Sequence, residues 1–162
     1  TQILLYAAST LYHSVPVSRA KAVLRHFDHA AIFLLIAGTY TPFALVNLRG
    51  PWGWSIFGLI WGLAGLGILL QSRLIRLKPL VTALPYVAMG WVAIIAIKPL
   101  FETVAPGGLA LLFGGGAAYT LGSLFYVWRR LRFHHAIWHV FVLLGSGLHF
   151  FAILFYVIPL AR

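Results

Sequence analysis

Six apolar runs, at about residues 1–13, 29–47, 52–72, 80–98, 107–128 and 136–159, are separated by short basic or Pro/Gly-rich connections. Within each run the apolar residues are continuous and do not alternate with a period of two. That pattern predicts helices, because a strand crossing lipid alternates apolar and polar faces. A membrane helix needs about 20 such residues, a length that five of the runs reach. The first run falls short by about a third, and it begins at Thr1. The expectation is therefore an N-terminally truncated chain, lacking the start of this helix and an earlier helix, and forming a single all-α transmembrane domain.

Composition narrows the class further. The chain is 62% hydrophobic and 9% charged, with a mean hydropathy of +0.95, which excludes an ordinary soluble domain. There is no cysteine, so disulfides and thiolate ligands are excluded and any metal must be held by histidine, carboxylate or water. Glycines at Gly58, Gly62 and Gly65, and at Gly114, Gly115, Gly116 and Gly122, have spacings that let membrane helices approach closely.

A net charge of +10 would suit nucleic acid if it formed one face or tail. Here the basic residues sit between the apolar runs, so the partners expected are membrane lipids and not nucleic acid. Arg19, Lys21, Arg25, Arg73, Arg76, Lys78, Arg129, Arg130 and Arg132 fall on one side, while Arg49, Lys98 and Arg162 fall on the other. By the positive-inside rule the first set is cytoplasmic, which puts the C-terminus outside.

Polar groups inside the runs carry the candidate chemistry. Ser9 and His13 end the first run, Asp28 opens the second, and His135 and His139 open the last. On the expected topology all five lie near one depth, close to the cytoplasmic side. Residues four apart on a helix are offset by only about 40°, so His135 and His139 can share one ion and Ser9 can share a face with His13. Three imidazoles plus a water would make an open zinc site. His26, His29 and His134 read as interfacial anchors. Ser146 and His149 lie on the same face as His135 and His139, so they are expected inside the bundle as secondary polar groups near the site, His149 in a buried hydrogen bond.

Two other metal chemistries fit less well. His135 and His149 are 14 residues apart, a spacing that lets one helix ligate two haems. The matching pair is missing, however, since the residue 14 after His29 is Phe43. The HAIWH segment has the histidine spacing of zinc proteases, but Ala136 stands where their glutamate would be. A proton acceptor must come from elsewhere. Of the two acidic residues, Glu102 lies in an outer loop and Asp28 lies at the depth of the histidines. Asp28 is thus the candidate base, and it is also expected to N-cap its helix.

The segments STLYH, LRHFDHAAIFLLIAGTYTPF and HAIWHVFVLLGSGLHF, taken together and in order, resemble the hemolysin III group of the progestin and adiponectin receptor family. The resemblance covers essentially the whole chain. It implies a bundle of seven helices, of which about six are present here, a cytoplasmic N-terminus, and zinc held by His13, His135 and His139 with Asp28 and Ser9 beside it. Three functions follow from it as alternatives. Relatives of the adiponectin receptors are linked to ceramide hydrolysis, which implies a zinc-dependent hydrolase of lipid amide or ester bonds. The hemolysin name implies cytolysis or a channel, and a receptor with structural zinc is the third. The scattered Thr, Ser, Asn and Gln of the runs, with no ring of charge, favour the enzyme.

Overall fold

The computed structural model describes residues 1–74 and 77–161. Among them the chain is an all-α membrane bundle with no strand. Helix α1 is Gln2–Ser14 and α2 is Arg19–Pro42, continued by a π-helical stretch at Phe43–Leu48. Next come α3 (Gly50–Leu74), α4 (Pro79–Thr103, with a 3-10 segment at Trp91–Ala96), α5 (Pro106–Val127) and α6 (His134–Tyr156). All but α1 are long and apolar enough to cross a membrane.

Local chemistry sets these boundaries. Pro79 and Pro106 stand in the first turns of α4 and α5, where a missing N–H costs nothing. Pro42 has no N–H for the carbonyl one turn back, and the ladder loosens into the π-stretch directly after it. Arg49 and Gly50 then turn the chain into α3 with φ of 34° and 59°.

The expected start of the second span is corrected. Helix α2 begins ten residues before the apolar run does, with Ser18 as its N-cap accepting from the Lys21 N–H at 3.2 Å. Arg19, Lys21 and Arg25 are therefore helical and not in a loop. Arginine and lysine are good helix formers whose long stems lie along apolar surface, so a drop in hydropathy need not end a helix. Asp28 accordingly lies well inside α2 and caps nothing.

The bundle is inverted relative to a soluble protein. Leu69 is 79% exposed and Leu144 51%, whereas Thr39, Ser123, Ser146 and His149 are buried, as expected when lipid surrounds the molecule and polar groups must find partners inside. Helices α5 and α6 pack most extensively. A Cβ at Gly115 would lie 2.4 Å from His149 Nε2, and one at Gly122 would lie 2.6 Å from the Phe141 Cβ, so both positions need glycine. By contrast, Gly58, Gly62 and Gly65 of α3 face open space, and the close helix approach that their spacing would allow does not occur among the described residues. Arg76 and Arg162, two of the residues used to assign sidedness, lie outside the described residues.

Candidate metal centre

The register of α1 against α6 builds the site. The Gln2 Nε2 donates to the Ser146 carbonyl at 2.9 Å, and the hydroxyls of Tyr6 and Ser146 are hydrogen-bonded. Gln2 and His13 are 11 residues apart, as are His135 and Ser146. In an antiparallel pair, locking Gln2 to Ser146 therefore sets His13 beside His135. Leu5, Ala8 and Val142 fill the space between with apolar contact. The other side of α1 is tied to α2, where the Lys21 ammonium lies 5.1 Å above the Tyr12 ring and donates to the Val15 carbonyl at 2.8 Å.

The outcome is a convergence of three imidazoles. His135 Nε2 lies 3.3 Å from His13 Nε2 and 3.1 Å from His139 Nε2, and the three ligand atoms fall within 4.8 Å of one another. Zinc–nitrogen bonds of about 2.0 to 2.1 Å in tetrahedral geometry separate neighbouring ligand atoms by about 3.3 Å. The two close separations match that spacing, so these residues fit a metal ion. Neutral imidazole donors without a carboxylate suit zinc and other borderline divalent metals, and three ligands leave one position open. His13 is exposed while His135 and His139 are half-buried, so the centre sits at the rim of the bundle.

Behind this rim a cavity of about 130 Å³ runs inward. Ser9, Asp28, His135 and His139 all line it, which brings the expected carboxylate and hydroxyl to the same cavity as two of the histidines. Asp28 Oδ2 is 3.7 Å from His29 Nδ1, which itself lies 2.9 Å from the Arg25 carbonyl. His26 bonds to its own helix through the Ala22 carbonyl at 2.8 Å and lies apart from the cluster. Ser146 is buried between Tyr6 and the Leu143 carbonyl, and His149 is buried at the far end of the cavity with Nε2 2.9 Å from the Leu112 carbonyl.

Two tyrosines that no sequence motif marks complete the surroundings. Tyr86 and Tyr126 line the cavity on the same wall system as Asp28, and the Tyr126 ring packs 5.6 Å from Trp138 and 6.4 Å from His135. In sequence these tyrosines look like ordinary interfacial aromatics. Tyr6 does carry a signal: Gln2, Tyr6, Ser9 and His13 recur at spacings of four, three and four, which places them in one polar stripe along the helix.

Comparison with known proteins finds relatives over nearly the whole chain. The family model described as haemolysin-III related matches residues 1–150. The chain is 48% identical to "Hemolysin-3" of Bacillus cereus, over 99% of this chain and 74% of that protein. It is 46% identical to the "Hemolysin-3 homolog" of Bacillus subtilis (strain 168), over 96% of this chain and 73% of that protein. With the human "Monocyte to macrophage differentiation factor" it shares 29% identity, over 92% of this chain and 64% of the relative. No solved structure matches.

Proposed function

Because the chain belongs to the haemolysin-III related family, a group of multi-pass membrane proteins, we propose that it is a zinc-dependent hydrolase of lipid amide or ester bonds. The observation that carries this reading is a three-histidine cluster, two of whose members line a largely apolar cavity that Asp28 and Ser9 also line. A zinc ion held by His13, His135 and His139 would supply a water whose pKa is lowered to about 7 and a Lewis acid for the substrate carbonyl.

The chain's own groups do the rest. Asp28 takes the proton released as the water oxygen bonds to the carbonyl carbon, and returns it to the amine or alkoxide as that group leaves. Ser9 donates its hydroxyl hydrogen to the carbonyl oxygen as negative charge builds there. The apolar walls accept a lipid chain and exclude bulk water. The basic residues near the histidine end favour the cytoplasmic leaflet as the place of reaction, with the C-terminus outside.

The assay is release of fatty acid from a panel of ceramides and lysolipids by detergent-solubilised protein, before and after chelation and with zinc restored. Turnover that disappears with the chelator and returns with zinc supports the hydrolase. The "Hemolysin-3" name of the relatives favours a second reading, membrane lysis or a channel. Discrete conductance in planar bilayers without zinc-dependent turnover would establish that reading instead.

A further inference from the structure

We infer that the deep end of the cavity is a second polar subsite, which takes a neutral hydrogen-bonding group, a hydroxyl or an amide, on the chain of an amphiphilic ligand. Among the described residues, hydrogen-bond partners are unevenly distributed there. Most polar side chains around that end are already engaged. Thr39 Oγ1 donates to the Leu35 carbonyl at 2.9 Å, and the Tyr40 hydroxyl donates to the Gly90 carbonyl at 2.6 Å while accepting from the Ala93 N–H at 2.8 Å. Thr120 Oγ1 donates to the Gly116 carbonyl at 2.8 Å and accepts from Trp91 Nε1 at 3.0 Å.

Two buried atoms on lining residues have no partner: His149 Nδ1 and the Tyr119 hydroxyl. A carbonyl can only accept, so the 2.9 Å contact with Leu112 places the His149 proton on Nε2 and leaves Nδ1 an unfilled acceptor. The Tyr119 ring lies 5.5 Å from the His149 ring. Its hydroxyl faces Ser146, whose Oγ is hydrogen-bonded to Tyr6 and donates to the Leu143 carbonyl, so any bond between the two uses the Tyr119 hydrogen and leaves the phenol oxygen open to accept. The unfilled His149 Nδ1 and this oxygen therefore suit a ligand group that donates, a hydroxyl or an amide N–H.

The residue is also held deliberately in place. His149 is only 8% exposed and lines both the main cavity and a smaller one of about 50 Å³ that adjoins it. Gly115 leaves the room its ring occupies. Unpaired buried polar atoms are costly in a membrane protein, so their survival in a cavity calls for a ligand that satisfies them. Along α6, ten residues separate His139 from His149, an axial distance of about 15 Å. The subsite would therefore read a substituent well down the chain of a molecule whose head lies at the histidine cluster. This inference rests on the cavity accepting a lipid, but not on its hydrolysis.

Equilibrium binding of stearate and of hydroxystearates, with the hydroxyl at successive chain positions, to the zinc-replete full chain tests it. The expectation is tighter binding by about tenfold at one mid-chain hydroxyl position and none at positions near the carboxylate. Tyr119→Phe should reduce that preference. His149→Gln, which keeps a donor for the Leu112 carbonyl but moves the acceptor away from the Nδ1 position, should flatten the preference across the series. Equal affinity across the series, as expected if water alone fills the subsite, or no binding of any member, overturns the inference. Loss of lipid turnover with the preference intact would count against the hydrolase and leave the subsite standing.

Discussion

His13 and His135 are 122 residues apart in sequence, yet their Nε2 atoms lie 3.3 Å apart. Lipid penalises each imidazole, so two helices that bring them together must be offset by something that neither helix offers alone. A shared metal ion would do this, because it would replace the lost hydration of several imidazoles at once.

The first prediction follows from that pairing. His135→Ala and His139→Ala should each lose most of the bound zinc, measured by elemental analysis of purified protein, while Gln2→Ala should lower occupancy more mildly by loosening the register of α1 against α6. Equal zinc in all three variants would contradict the assignment of ligands.

Acid should release the metal. Protons and metal compete for the same imidazole nitrogens, so zinc retention should fall as pH drops from about 8 to about 5. Since metal bound only to the folded chain stabilises it, thermal stability with zinc present should decline over the same interval, and the zinc-dependent part of it should vanish at the acid end.

Glycine contacts give a packing test. Gly122→Ala places a methyl against Phe141 and Trp138 and should destabilise the α5–α6 pair by roughly 1 to 3 kcal/mol. Gly62→Ala, which meets nothing within 4 Å, should be neutral or stabilising by up to about 1 kcal/mol. Thermal unfolding in detergent distinguishes the two.

Sidedness is testable because the chain contains no cysteine. A single cysteine at position 130 should react with an impermeant reagent only when the cytoplasmic face is open, and one at position 98 only from outside. The reverse pattern would invert the proposed orientation along with the leaflet of the reaction.

Much of this was legible from the residues, and the failures have physical causes. Continuous apolar runs marked five spanning helices because lipid demands unbroken hydrogen-bonded backbone. The i, i+4 spacing of His135 and His139 marked a shared face. The start of α2 was misread because Arg19, Lys21 and Arg25 are helix formers that lower hydropathy without ending a helix. Gly58, Gly62 and Gly65 were misread because glycine spacing says nothing about which way a helix is turned. Tyr86 and Tyr126 were invisible because their importance comes from packing between helices distant in sequence.

The most direct test of the central claim is zinc content and lipid turnover measured on the same preparation of Asp28→Asn beside wild type. Asparagine keeps the shape but cannot accept the proton, so the account predicts nearly unchanged zinc with turnover lower by roughly a hundredfold or more. Full turnover in Asp28→Asn, or wild-type protein that holds zinc but hydrolyses no ceramide or lysolipid, would contradict it.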